Sequence, residues 1–391
     1  MYLNMPFGLG DGGDIVSWLV WIIFFMVFFM FYPRIMLSQI MWKLEASARK
    51  LEELSLKSKK LLINEISRKP TKELKDDVNR FFEFFMITPV SLDPAGIVKK
   101  FDHLIKNERE RFRYFTEQVC PKMDDERKAN IQMGFAGGIE LYTLAKIVRH
   151  YIEMIKKTKS YQIAMIIQMQ IPMIERIAKA LFEGTKTLAR GEPIGDAVGP
   201  WVVAKMIDGK TTEIEEEVVM FRKKSDGRNL FLLKARGPGG RIGYPGKAVE
   251  KLIKKYKIDK VVTIDAAAKL EGEKTGSIAE GVGIAMGGPG VERTYIEDAV
   301  VRANIPMDSI VVKMSSEEAI MPLRKSMINA LPYVMDSLQR SISRSKKGTN
   351  IIVVGVGNTS GVGNSKTDAE KTAKWVESYE KKLKEAKKKA N

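Results

Sequence analysis

Residues 15–32 form an eighteen-residue stretch without a charge, rich in Phe, Ile and Trp. As a helix rising about 1.5 Å per residue, the stretch spans roughly 27 Å. A hydrocarbon core is about 30 Å thick, and residues 35–42 continue the apolar run past Arg34. Trp18 and Trp21 near one end, and Tyr32 and Trp42 near the other, suit the two polar interfaces of a bilayer. A cleaved signal peptide would need a basic leader and small residues at its cut site. Residues 1–14 carry no Lys or Arg, and Tyr32-Pro33-Arg34 is bulky, so the pattern predicts an uncleaved anchor.

From Lys43 the pattern becomes helical and charged. Leu44, Leu51 and Leu54 form a short apolar seam that Ser58 interrupts before Leu61, which predicts a solvated stalk with one docking face, closed by Pro70. Phe81-Phe82-Glu83-Phe84-Phe85-Met86 adjoins Ile87 and Val90, so these rings are expected in a core or against the bilayer, not as a stacking platform for nucleic acid. Pro89 and Asp93-Pro94 mark a turn. Residues 97–117 return to helix, with residues 107–113 (NERERFR) as the charged face. The next helix opens on Asp124-Asp125-Glu126 and runs to about Thr158, and Gly134, Gly137 and Gly138 imply a break or a close helix crossing. Residues 161–182 are apolar, but Gln168, Gln170, Pro172, Glu175 and Arg176 interrupt them, which favours a buried helix over a second span.

The pattern changes at residues 191–206 (GEPIGDAVGPWVVAKM). Beyond this seam short β-branched runs alternate with glycine loops and helices. Residues 201–207 read as helix or short strand, and 213–221 and 230–234 as strands split by Ser225-Asp226-Gly227. Residues 237–246 form a glycine loop leading into a helix to about Lys255. Residues 261–264 form a strand ending on Asp265. A second glycine loop covers 277–290 and a helix 291–303. A strand at 310–313, a helix at 322–343 and a last strand at 351–354 follow, the last running into Gly355-Val356-Gly357-Asn358. The final helix starts at Asp368. The alternation predicts a mostly parallel, doubly wound, three-layer α/β domain. In such folds ligands gather beyond the carboxyl ends of the strands, where Asp265, Gly357 and Asn358 fall. The predicted domains are an anchor (1–42), a helical cytosolic domain (43–190), an α/β domain (191–380) and a basic tail (381–391).

Charge adds direction. The chain holds 65 Lys and Arg against 48 Asp and Glu, a net +17. Lys43, Arg49, Lys50, Lys57, Lys59 and Lys60 lie downstream of the apolar stretch, so the positive-inside rule places the N-terminus outside and the bulk of the chain in the cytoplasm. The same balance suits partners bearing phosphate, either anionic lipid or RNA, and six lysines fall in the last eleven residues. The single cysteine, Cys120, leaves no internal disulfide. With only His103 and His150, a histidine-rich zinc site is not expected, and no cofactor is implied.

Familiar nucleotide motifs fail. Gly246-Lys247 is followed by Ala248 and preceded at the P-loop spacing by Arg241, while Gly355-Val356-Gly357 has Ser360 where the third glycine belongs. A pair of acids remains, Asp196 at the seam and Asp265 at a strand end. Two carboxyls sharing a site do not both ionise easily, so one holds a proton while the other activates water. Spacing leaves open whether they meet. The alternative is that Asp196 caps a helix starting near Ala197 and Asp265 caps one over residues 266–270.

On the Phe-rich run into Ile87-Thr88-Pro89, on Leu92-Asp93-Pro94 and on the closing Gly-Val-Gly-Asn, the chain resembles an archaeal family of single-span membrane proteins built on a domain of unknown function. Within its last 200 residues it also resembles the spore germination protease and, more distantly, the hydrogenase maturation proteases. Asp196-Ala197-Val198-Gly199-Pro200 is similar to their first acidic motif. Val262-Thr263-Ile264-Asp265-Ala266-Ala267-Ala268, 69 residues on, is similar to their second. In those enzymes a Gly-x-Gly-Asn strand precedes the first motif. Here its match, residues 353–358 (VVGVGN), lies at the other end, so the resemblance implies a circular permutation that brings this strand beside the helix after Asp196. Neither histidine falls in the α/β half, so the nickel-type site of the maturation proteases is not implied.

The resemblance implies a membrane-tethered, cytosol-facing peptidase-like protein acting on a protein or peptide. Asp196 and Asp265 would be its acid pair and Gly357 and Asn358 would shape the site. Gly287, Gly288 and Gly290 would offer backbone amides to a developing oxyanion. The rival expectation is a non-catalytic scaffold at the bilayer that binds a protein, RNA or a ribosome, or anionic lipid through its basic surface.

Overall fold

The computed structural model describes residues 14–89, 96–286 and 290–390. The predicted turn at Asp93-Pro94 lies outside them, as do Gly287 and Gly288. The chain divides into two units, one formed by Met1–Glu53 and Thr143–Arg176, the other by Leu54–Tyr142 and Ile177–Asn391.

Helices α1 (Asp14–Ile66), α2 (Lys72–Phe81), α3 (Ile97–Val119), α4 (Asp125–Thr158) and α5 (Tyr161–Ala189) make up the N-terminal half. Among the described residues, α1 is the one helix long and apolar enough to cross a membrane. From Trp18 to Tyr32 its side chains are exposed all round, including Phe24, Phe25, Phe28 and Phe29. Below Trp42 the helix becomes one-sided, and Leu44, Ala48 and Leu51 are buried. In the first unit Arg149 of α4 bridges Glu45 and Glu52 of α1, at 2.8 and 2.7 Å. Lys156 also reaches Glu45, at 2.6 Å. Its hydrogen bonds from Lys156 and Arg149 hold the Glu45 carboxyl below its usual range.

In the second unit Phe81, Phe82 and Phe84 of the aromatic cluster join a core, whereas Phe85 and the adjoining Ile87 are exposed. Phe81 stacks on Phe115 with centroids 3.8 Å apart, Phe82 is buried, and both meet Phe135 edge-on. Ser58, expected to break the apolar seam of α1, is buried and satisfies its hydroxyl on the Ser55 carbonyl. The three glycines of α4 mark a close crossing and not a break, since the helix runs through them uninterrupted. A Cβ on Gly134 would lie 2.8 Å from Leu62 Cδ2 and 2.9 Å from Ala189 Cβ. A Gly134→Val substitution is therefore expected to overpack this crossing by about 1–3 kcal/mol, read as a lower melting temperature of the full chain in detergent.

A 3-10 turn (Gly195–Ala197) leads into α6 (Val198–Met206), then β1 (Thr212–Glu215), β2 (Val218–Ser225), β3 (Arg228–Ala235), α7 (Pro245–Lys255) and β4 (Lys260–Ala268). There follow β5 (Ile278–Val282), α8 (Val291–Arg302), β6 (Met307–Met314), α9 (Ser316–Ile320), α10 (Lys325–Ile328), α11 (Leu331–Ser343), β7 (Asn350–Gly355) and α12 (Lys366–Ala390). The strands form one seven-stranded sheet in the order β1-β2-β3-β7-β4-β6-β5.

The sheet is mixed, where a mostly parallel one was expected. Only β3, β7, β4 and β6 run parallel. Asp226 and Gly227 both have positive φ, as in a two-residue hairpin turn whose twist matches its strands, so β2 and β3 are antiparallel. The strand expected over 213–221 is broken by Glu217, which takes φ +59° and folds β1 back on β2. The second glycine loop contains β5, an antiparallel edge strand on β6. The helix expected over 322–343 is split into α10 and α11, with Pro332 in the first turn of α11. Residues 381–389 continue α12 as largely exposed helix.

Alternation along β4 sends side chains to two cores. Val262 and Ile264 join a cluster with α6, α11 and α12, whereas Val261 joins one with α7 and α8. Helix α6 is almost wholly buried. Its Trp201 indole donates to the Ala369 carbonyl of α12 at 2.9 Å.

Candidate functional site

The site lies where β4, β7 and α6 converge. Strand β7 sits between β3 and β4, although it is the last in sequence. Gly199 in the first turn of α6 crosses the strand ends so closely that a Cβ would fall 2.3 Å from the Val356 carbonyl and 2.4 Å from that of Ile264. Only glycine permits such an approach. Gly357 has φ +131°, and a Cβ there would meet the Asp196 carbonyl at 2.0 Å. The backbone amide of the next residue, Asn358, donates to Asp196 Oδ2 at 2.7 Å. The far end of the chain thus supplies a polar partner for the seam acid. Asn358 is itself fixed, its Oδ1 accepting from the Ser360 amide at 2.8 Å.

Asp265 occupies a late position of β4 on the α7/α8 side and is 4% exposed. It caps no helix, since β4 continues to Ala268, and its Oδ1 accepts from the Ala266 amide at 2.6 Å. Asp196 does not cap α6 either, because the N-cap there is Ala197 with no side-chain bond. Both carboxyls line one cavity of about 450 Å³. Burial raises the Asp196 pKa, against the Asn358 amide that lowers it. Burial also pushes Asp265 well above its usual value, and the nearby Asp196 charge raises it further. A buried carboxyl beside a second, partly buried one is harder to ionise than an isolated carboxyl.

The rest of the wall comes from distant elements. Ile105, Glu108, Arg109 and Phe112 face the cavity from α3, an i, i+3, i+4, i+7 stripe. Residues 107–113, expected as the charged face of this helix, contribute Glu108 and Arg109 to the site. Burial raises Glu108, and the Arg109 charge lowers it. The Arg109 guanidinium lies over the Tyr244 ring at 4.2 Å and donates to the Gly243 carbonyl at 3.0 Å. Glu292, at the start of α8, is raised by burial and accepts from the Gly246 amide at 2.6 Å. At the rim Asp102 receives Lys247 at 3.0 Å and the Tyr295 hydroxyl at 2.9 Å. Of the glycines expected to hold an oxyanion, Gly290 lines the cavity at the N-terminus of α8.

The loop at 237–246 is a poor phosphate cradle, because most of its glycine amides are already engaged. Gly240 donates to Asn130 Oδ1, Gly237 to Asn364 Oδ1 and Gly246 to Glu292. Among the described residues, no three His, Cys, Asp or Glu side chains converge as metal ligands. Cys120 lies apart from the cavity. Its thiol is pushed up to about 11 by burial and is no nucleophile near neutral pH.

A family model for the N-terminal domain of DUF1512, described as a protein of unknown function, matches residues 18–191. A second, for the DUF1512 C-terminal domain of unknown function, matches residues 194–363. The chain belongs to the DUF1512 family. The C-terminal DUF1512 match contains Asp196, Asp265 and Asn358, while the α3 wall of the cavity comes from the N-terminal match. No curated protein and no solved structure matches the chain.

Proposed function

We propose that this cavity is the site of a membrane-tethered peptidase in which Asp196 and Asp265 share one proton and activate water. The observation that carries the reading is two carboxyls from separate elements, Asp265 buried and Asp196 partly buried, lining one cavity at the ends of parallel strands, with the Asp196 charge raising Asp265. The Asn358 amide favours the ionised form of Asp196, which makes Asp196 the base. Burial and the Asp196 charge both raise Asp265, which makes it the acid. Asp196 takes a proton from water as the water oxygen bonds to the peptide carbonyl carbon. The oxyanion forms near the N-terminus of α8 at Gly290. Asp265 then gives its proton to the departing nitrogen, the carbon–nitrogen bond breaks, and a carboxylic acid and an amine leave.

The resemblance of residues 196–200 and 262–268 to the acidic motifs of the germination protease supports this reading, as does the position of β7. The expected permutation requires residues 353–358 beside α6, and Gly355 approaches Gly199 there. The all-round apolar surface of α1 and the basic residues that follow it support a single span with the N-terminus outside and the remainder cytoplasmic. The test is purified full-length protein in detergent, incubated with a complex peptide library and read by mass spectrometry for new termini. Cleavage by the wild type that disappears in Asp196→Asn is expected, and a library left intact by the wild type refutes the reading.

The +17 charge and the exposed basic end of α12 favour a second reading, a non-catalytic scaffold that binds RNA or anionic lipid. It predicts RNA affinity that falls steeply with salt and is insensitive to Asp196→Asn.

A further inference from the structure

The turn between α4 and α5 has a chemistry that the cavity does not use. Arg149 pairs with Glu52 and Glu45, and Lys156 pairs with Glu45. A step of seven residues up α4 thus matches a step of seven down α1, so the two helices run antiparallel. Extended past Lys156, this register brings Lys157 and the end of α4 at Thr158 within a turn of Trp42, where the apolar run of α1 ends, and Lys159 follows in the turn. Glu45 lies only about 4–5 Å along the axis from Trp42.

Helix α5 returns alongside. Ser47 Oγ donates to Glu175 Oε1 at 2.9 Å, and Lys50 pairs with the same carboxylate. The first turns of α5 therefore lie on the apolar side of Ser47. They expose Met165, Ile166 and Met169, the last 78% exposed. Residues 154–174 contain no Asp or Glu. The acids that face the turn are Glu45 and Glu153, and both are engaged by Lys156.

We propose that the α4–α5 turn is a foot that rests on anionic lipid, its lysines among the head groups and its Met and Ile side chains at the acyl boundary. The proposal rests on the reading of α1 as a membrane span. That reading sets the turn within a Debye length, about 8–10 Å, of the bilayer surface. Lysines beside exposed apolar side chains at one level are what an interfacial segment needs. RNA would engage the lysines and leave the methionines in water. The foot and the span together fix the first unit at two points on one surface.

The experiment uses the full chain with Gln162→Cys, an exposed position on the first turn of α5, carrying an environment-sensitive dye. The buried Cys120 is replaced by alanine. The protein is reconstituted in vesicles of phosphatidylcholine alone or with 30% phosphatidylglycerol, each containing a lipid with a spin-labelled head group. At least twofold stronger quenching is expected with phosphatidylglycerol, reduced to the phosphatidylcholine level by Lys157→Glu with Lys159→Glu. Equal quenching in both vesicles, in a chain that resists alkaline extraction, overturns the foot and leaves the span standing. Extraction of the wild type by alkali overturns the span and the foot with it. A dye that responds to added RNA and not to phosphatidylglycerol, or that self-quenches between copies without lipid contact, also overturns the proposal.

Discussion

Asp265→Asn is expected to abolish peptide cleavage while leaving the fold intact or more stable. Asparagine keeps the shape of the side chain but cannot hold or release the shared proton. Positioned acid–base groups contribute about 10²- to 10⁴-fold to rate, so a loss of that order in kcat is the expected result, matched by Asp196→Asn. Stability should move the other way. The folded pKa of Asp265 lies above its unfolded value, because burial and the Asp196 charge oppose ionisation. The native state therefore binds more protons than the unfolded chain from about pH 4 upward. Stability falls as pH rises through that window until the raised pKa is passed. Asp265→Asn removes this slope. Denaturant melts across pH, alongside cleavage rates, separate the roles: a catalytic acid gives an inactive variant with a flatter stability profile. An aspartate needed only for folding gives a variant that melts earlier at every pH. The wild-type rate should form a bell in pH, lost on the alkaline side as the pair gives up its last proton and on the acid side as it takes a second.

Much of this site was legible in the sequence, but not its walls. The two acids stand out because each follows or precedes a short apolar element at a composition change, and the structure brings both to one cavity. The central strands show as β-branched runs because they are buried on both faces. Strand β5 does not, since Ile278–Val282 is half exposed at an edge and reads as part of a glycine loop. The α3 wall was hidden for a different reason. Glu108 and Arg109 look like surface charge in NERERFR, and only their helical phase with Ile105 and Phe112 reveals a shared inward face. Tyr244 and Glu292 carry no such phase, because their orientation depends on Arg109 and the Gly246 amide, which are distant in sequence. The central position of β7 was visible only as a gap, an α/β half that begins without a strand.

Lys234→Met is expected to reverse its effect on stability between pH 6 and pH 10. Lys234, the penultimate residue of β3, has no exposed surface, and burial lowers its pKa to about 7, against the partial pull of Asp368 and Glu126. The unfolded chain keeps a lysine near 10.4. Between these values the unfolded state binds the extra proton, so wild-type stability rises with pH, by as much as about 4 kcal/mol over three units. Below pH 7 both states are charged and the fold bears the full cost of the buried ammonium. Methionine has a similar length and no charge, so the variant should melt later than wild type at pH 6. At pH 10 the neutral amine keeps its bonds to the Ala235 carbonyl and Asn364 Oδ1, at 2.8 and 2.9 Å, and the variant lacks them. There it should melt earlier. A difference between variant and wild type that stays constant with pH would refute the assignment. The consequence reaches the cavity, because Asn364 also clamps both backbone groups of Gly237. Gly237 begins the loop that carries Ile242, Tyr244 and Pro245 into the cavity wall. A lysine that fills this place therefore exchanges stability at neutral pH for a polar brace behind the site, as the buried acids exchange stability for a shared proton within it.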